Sequence, residues 1–223
     1  MAFRFVALMA ASDSKLDDFV KGVTEQALRL EADMPVRIKV RTAFPIRDDG
    51  AHSAQSNSDG VLELLMPQSN DLQAVLGAVD GLAARLGNVV NVGQSAAVVG
   101  AEHIIVPGMA PIQIHAGLRR SPRLSHEAFC LFWKHEFGRV ASKIPRMGGY
   151  CQVHADIDAT KAAAAASGLA VDDLDGIAVE WFGSSEQLTE AGAWAGTQSF
   201  SKAVGREFTV EHMVISHNAE LSA

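Results

Sequence analysis

Two periods of apolar residues take turns along the chain, and their order predicts the elements. Residues 3 to 10, FRFVALMA, form an apolar run of strand length. Leu16, Phe19, Val20, Val23, Ala27 and Leu30 then recur at three- and four-residue steps, the spacing of one helix face over 13 to 32. Asp13 or Ser14 can cap that helix. Pro35 opens a second strand, VRIKVRTAF, in which Arg37, Lys39 and Arg41 alternate with Ile38, Val40 and Thr42. The polar stretch 48 to 60 reads as a long loop, 61 to 66 as a third strand and 70 to 86 as a second helix. A fourth strand lies within 95 to 106, and Pro107-Gly108 ends it.

The same order returns in the second half. Ile112 to Leu118 is a strand, and Ser125 caps a helix whose inner face is Phe129, Phe132, Trp133, Phe137 and Val140. Ile144-Pro145 closes it, and beyond Gly148-Gly149 the period changes to two, so Tyr150, Gln152 and His154 share one side of a strand. DGIAVEWF (175–182), a helix after Ser184 and EFTVEHMVIS complete the set, while the alanine run 162 to 166 reads as a short helix or a tolerated insertion. Glu102-His103 matches Glu211-His212, and Phe5 matches Ile114, at a common offset of 109. The expected fold class is therefore α+β: two ferredoxin-like β-α-β-β-α-β units in tandem, residues 1–108 (degenerate) and 111–223, forming an intramolecular pseudo-dimeric α/β barrel. Each unit stacks its helices on one sheet face, so the bare faces of the two units can cover each other and enclose a ligand space.

Composition narrows the classes. A chain of 223 residues, 48% hydrophobic and 20% charged, is that of a globular protein. Its net charge of −7 argues against nucleic-acid binding, which relies on basic surface. FVALMAAS after Arg4 has the letters of a short secretory segment, but the repeat requires a strand there, and no apolar run approaches the roughly 20 residues of a membrane span. Two cysteines, Cys130 and Cys151, make neither a disulfide framework nor a metal motif, which fits a reducing, cytoplasmic setting. No dinucleotide or phosphate loop, HExxH, CxxC or nucleophile elbow is present, so no cofactor and no metal is expected.

Candidate chemistry comes from polar residues placed in otherwise apolar strands. An unsatisfied polar group there is unfavourable by about 1 to 3 kcal/mol, so each needs a reason. Tyr150, His154 and His115 are the candidates for proton transfer, an imidazole as base and a phenol as donor to a developing oxyanion. Gln152, Glu180, Phe182 and His212 are candidate substrate contacts, and Arg37 and Arg41 can bind an anion. The same residues also have bland readings. A strand histidine is commonly just hydrogen-bonded, the Arg37/Lys39/Arg41 row is a solvated face that blocks edge pairing, and Trp133 and Trp181 belong to the core.

Residues 112 to 217 resemble the EthD family of the dimeric α/β-barrel superfamily. The resemblance is carried by Arg119-Arg120, Pro122, Leu124-Ser125, Phe129, Phe132-Trp133, Ile144-Pro145, and Tyr150, Gln152 and His154, with DGIAVEWF and EHMVI downstream. The family has His before the glycine where this chain has Phe137-Gly138, and His135, two residues early, is turned about 200° away. The resemblance implies a cofactor-free enzyme of the lyase, dehydratase, isomerase or cyclase type, acting on a small hydrophobic or aromatic carbonyl compound. Alternatives are a non-catalytic ligand-binding accessory protein, or a cofactor-free or haem-assisted monooxygenase. Further self-association of the fused chain is optional.

Overall fold

The structure is a computed structural model that describes residues 1–13, 15–46, 57–170, 173–197 and 206–218. Strand β1 (Phe3–Ala11) leads into α1 (Leu16–Asp33), β2 (Lys39–Ala43) and β3 (Gly60–Met66). Next come α2 (Leu72–Val79), α3 (Leu82–Leu86) and β4 (Val90–Val106). The second half runs β5 (Ile112–Arg120), α4 (His126–Phe132), α5 (Gly138–Ala141), β6 (Met147–Ala155), α6 (Ile157–Ser167), β7 (Gly176–Phe182), α7 (Ser185–Thr197) and β8 (Phe208–His217). All eight strands form one antiparallel sheet in the order β2-β3-β1-β4-β6-β7-β5-β8. The two quartets are built alike, and β4 joins them by pairing with β6.

The sheet curls until its ends meet. Pro45 bridges Ser216, the Ile46 amide donates to the Ile215 carbonyl at 2.9 Å, and the Asn57 side chain both donates to Glu211 O and accepts from Met213 N. Period-two alternation then sorts the side chains into an outer, helix-covered face and an enclosed face. Outside, Phe5, Ala7, Met9, Leu62 and Leu64 pack under α1 to α3, and Ile112, Ile114, Tyr150, Ala178 and Phe182 pack under α4, α5 and α7 with Phe129, Trp133, Phe137 and Phe208. Inside are Val6, Leu8, Val98, Cys151, Val153, Ile177, Val179, Trp181 and Val214. The enclosed face is thus filled largely by aliphatic groups rather than left as an open chamber.

Several elements differ from expectation for local reasons. The predicted helix 70–86 is broken, because Gly81 adopts a positive φ of 66° between α2 and α3. The Ser125 helix does start where predicted, its hydroxyl accepting from Ala128 N at 3.1 Å, but it contains a π turn over Trp133–Phe137. Strand β4 is longer than expected, and β2 is shorter at its N-terminal end, so Arg37 lies before the strand. The alanine run is helical: α6 lays Ala159 and Ala163 on the core of the first half, tying the halves together outside the sheet. Most of the predicted loop 48–60 and the cap candidate Ser14 lie outside the described residues.

Candidate functional site

Tyr150, Gln152 and His154 do share a face, but it is the helix-covered one. They therefore do not look into the ligand space that the two units were expected to enclose between them. Trp133 Nε1 donates to the Tyr150 hydroxyl at 2.9 Å, and Gln152 Nε2 donates to Trp133 O at 2.9 Å and to the Tyr150 hydroxyl at 3.0 Å. Gln152 Oε1 is thereby left as the acceptor for His154 Nε2–H at 2.9 Å. The His154 ring lies parallel to the Trp133 indole, with centroids 4.9 Å apart and planes 13° off, and meets His103 edge-on. Burial, with His103 and Lys134 nearby, pushes the imidazole pKa down to about 3. Tyr150 is fully buried, and burial with Glu180 beside it raises its pKa well above the usual phenol value. The two groups are thus moved in opposite directions, and the hydrogen bonds of the row tie Tyr150 and Gln152 to Trp133.

Glu180 stands opposite Tyr150 on β7, in the same helix-covered layer. It makes no hydrogen bond or ion pair with a described residue, and burial alone pushes its carboxyl pKa up to about 7. Although enclosed by neighbouring atoms, it retains part of its surface and is only half-buried. Ile114 is its neighbour on the other side, and Phe182, Phe137, Trp133 and Ile112 make up the surrounding apolar layer. A carboxyl tuned to neutral pH, unpaired and beside a protonated phenol, is the arrangement that general acid–base chemistry calls for. Phe182, expected as a substrate contact, is a buried wall of this layer.

His115 is not brought to the row; it faces the enclosed side. Its Nε2 is 3.2 Å from Glu63 Oε1, whose Oε1 also takes Arg4 Nη1 at 3.0 Å, while Arg4 Nε reaches Glu102 Oε2 at 2.8 Å. Burial works against a charged Glu63, but His115 and Arg4 outweigh it and hold the carboxyl well below the usual range. Arg41 is opposite Glu63 in the β2–β3 register and lines two cavities, whereas Arg37 pairs with Asp71 at 2.6 Å on the surface, so the two arginines do not form one anion site. His212 contacts Ser58 Oγ at 3.1 Å and its repeat mate His103 contacts Lys134 Nζ at 3.2 Å, so the matched Glu-His pairs have different partners.

Arg4, Glu63, Gln113 and Asn218 were missed as candidates. Arg4 and Glu63 are single charges inside apolar strands, the same signal that singled out His115. Also missed was a string of Asp175, His126 and Cys130, with Asp175 Oδ1 at 2.7 Å from His126 Nδ1 and Cys130 Sγ at 3.5 Å from His126 Nε2. It only superficially matches a nucleophile triad, since His126 Nε2 also faces Ala155 O at 2.9 Å and burial pushes the Cys130 thiol up to about 11. For a haem, an axial histidine would have to open onto a cavity. Neither His115 nor His154 lines any of five cavities of 270 to 740 Å³ among the described residues, so neither is placed to serve as that ligand there, whereas His126 and His217 each line one of them.

No family model matches the chain, and no curated protein does; the EthD resemblance therefore finds no match at the level of a family model. Solved structures do match in fold. A structure assigned as a chlorite dismutase, TA0507, has 8% identity over 97% of this chain and 94% of that one, with a TM-score of 0.55. A mutant chlorite dismutase from Candidatus Nitrospira defluvii has 15% identity over 97% and 90%, with a TM-score of 0.56. A structure assigned as a monooxygenase from Lactobacillus acidophilus has 7% identity over 96% and 98%, with a TM-score of 0.49. The chain thus shares the fold of these chlorite dismutase structures.

Proposed function

We propose that this chain is a cofactor-free enzyme that moves a proton on a small hydrophobic or aromatic carbonyl compound, in the manner of a lyase, isomerase or cyclase. The reaction is placed in the helix-covered layer of residues 111–223, with Glu180 taking and returning the proton and the Tyr150 hydroxyl as donor to the substrate oxygen. The observation that carries this reading is Glu180: a half-buried carboxyl without a partner among the described residues, pushed to about 7 in an aromatic layer, directly across from a phenol. Aromatic walls suit an aromatic or alicyclic substrate. The chain is read as two fused units, 1–108 and 111–223, forming an internal pseudo-dimer, of which only the second carries this site. A test is deuterium incorporation from D₂O into a panel of small ketones, followed by proton NMR with wild type and Glu180→Gln. Enzyme-dependent exchange that vanishes in the variant supports the proposal; exchange surviving in Glu180→Gln would sink it.

A second reading, a non-catalytic ligand-binding protein, is favoured by the 570 Å³ cavity lined by α1 and β2. Its walls combine Ile38, Val40 and Leu28 with Arg41, Gln113 and Asn218, an apolar space with a few convergent polar groups. Saturable binding of a ketone there, unchanged by Glu180→Gln and without exchange, favours this reading.

A further inference from the structure

Glu63 is only 2% exposed, and it lines the 570 Å³ cavity whose walls include Leu28, Ile38 and Val40. One of its carboxylate oxygens, Oε1, takes Arg4 Nη1 at 3.0 Å and stands 3.2 Å from His115 Nε2. The other, Oε2, has no hydrogen-bond or ion-pair partner among the described residues and is not fully sealed from solvent. Gln113, 5% exposed, lines the same cavity, and its Nε2 is 3.4 Å from that same His115 nitrogen. A carboxylate and an amide therefore end side by side next to an apolar wall, as the polar groups of small-molecule sites do. Burial opposes the charge of Glu63, but His115, Arg4 and the nearby Arg41 outweigh it and hold the carboxyl well below the usual range. Near neutrality it is an acceptor with no proton to give.

We infer that this cavity takes a neutral hydroxylated ring compound, a phenol in chemical class, whose O–H donates to Glu63 Oε2 while its ring lies against Leu28, Ile38 and Val40. This names the ligand class for the ligand-binding reading of the cavity and rests on that reading. It is separate from the proton-transfer site, since neither Tyr150 nor Glu180 lines the cavity. The ligand has to bring a donor, because the open group is an ionised oxygen, and an anion would be repelled by it. The donor has to be neutral, because Glu63 already holds the Arg4 guanidinium and Arg41 stands in the same wall, so an added cation would meet two others. The exposed Glu31 and Lys39, also in the wall, offset each other. A neutral O–H supplies the missing hydrogen bond and leaves the charges as they are. A phenol is a stronger donor than an aliphatic alcohol, and its ring suits the apolar wall. The volume lies within the usual range for small-molecule sites and admits a substituted single ring.

The test is isothermal titration calorimetry on the full-length protein at about pH 6, where a phenol is neutral. The probes are three ketones that differ at one ring position: 4-hydroxyacetophenone, 4-methoxyacetophenone and acetophenone. The hydroxyl compound is expected to bind about tenfold more tightly than the other two, as befits one hydrogen bond to a charged group. Thr24→Trp, which adds a ring to the cavity from an exposed position on α1, is expected to abolish the binding of all three. Glu63→Gln is expected to bring the three to equal affinity. Because that change disturbs the contacts with Arg4 and His115, its fold is checked by circular dichroism, and the wild-type preference and Thr24→Trp decide the matter if it does not fold. Equal binding of the three by wild type, lost in Thr24→Trp, would overturn the inference and leave the cavity a ligand site. A preference for the hydroxyl compound that survives in folded Glu63→Gln would do the same. Absence of binding, or binding that Thr24→Trp leaves unaltered, would overturn both the inference and the ligand-binding reading of this cavity.

Discussion

Tyr150 and Glu180 face each other across neighbouring antiparallel strands, and the phenol is tied by Trp133 and Gln152 while the carboxyl has no hydrogen-bond or ion-pair partner among the described residues. That asymmetry is the basis of the functional reading: one group is held in place and in one protonation state, and its neighbour is left free to change.

Glu180 should therefore cost stability when ionised. Its folded-state pKa is raised, so its favourable contribution is complete below the ordinary carboxyl value of 4.5 and is lost as pH rises through about 7. Glu180→Gln is expected to stabilise the protein at pH 8 by about 1–2 kcal/mol, a value reduced for its partial exposure, and to leave stability at pH 4 unchanged. Urea denaturation at the two pH values checks this. A gain in stability with a loss of exchange activity is the pairing expected of a functional group.

Tyr150→Phe removes the hydroxyl that receives hydrogen bonds from Trp133 and Gln152. It should slow exchange by about 10²-fold, the scale for losing one oxyanion donor, and destabilise by about 1–3 kcal/mol because two buried donors lose their acceptor. Rates compared at equal folded fraction separate the two effects.

The histidine pair at the joint of the two halves predicts acid lability. Burial lowers both His154, to about 3, and His103, so the folded state resists protons that the unfolded chain takes up near 6.5. Stability should fall as pH drops from about 6.5 toward 3, and His154→Phe, which retains a ring against Trp133, should flatten that slope in thermal melts.

Arg4 links two carboxylates on the enclosed side. Arg4→Met would leave Glu63 without the guanidinium bonded to it, with His115 and the nearby Arg41 remaining, and a loss of about 3–5 kcal/mol is expected from denaturant titration. Cys130 and Cys151, pushed up to about 11 and about 12 by burial, should resist iodoacetamide at pH 8 and react only after denaturation.

Much of this architecture was legible in the sequence. The apolar run FRFVALMA, the alternation in YCQVHA and the Ser125 cap placed strands and helix correctly because those signals are local. Which face of β6 meets helices and which is enclosed is not local. The pleat put Tyr150, Gln152 and His154 together, but only the packing of Trp133 shows that they lie beneath a helix. His115 was separated from them because β5 presents odd-numbered residues inward, toward Glu63 of the other half, a contact across 52 residues of chain. Arg37 was lost to the site by the late start of β2. Glu180 was visible as a charge in an apolar strand, but its lack of a partner among the described residues could be read only from its surroundings.

The protonation of Glu180 itself is the most direct test. A ¹³C NMR titration of its carboxyl carbon, assigned through Glu180→Gln, is predicted to have its midpoint near pH 7 and to shift when a responsive ketone saturates the protein. A midpoint near the ordinary 4.5, indifferent to ketone, would contradict the account.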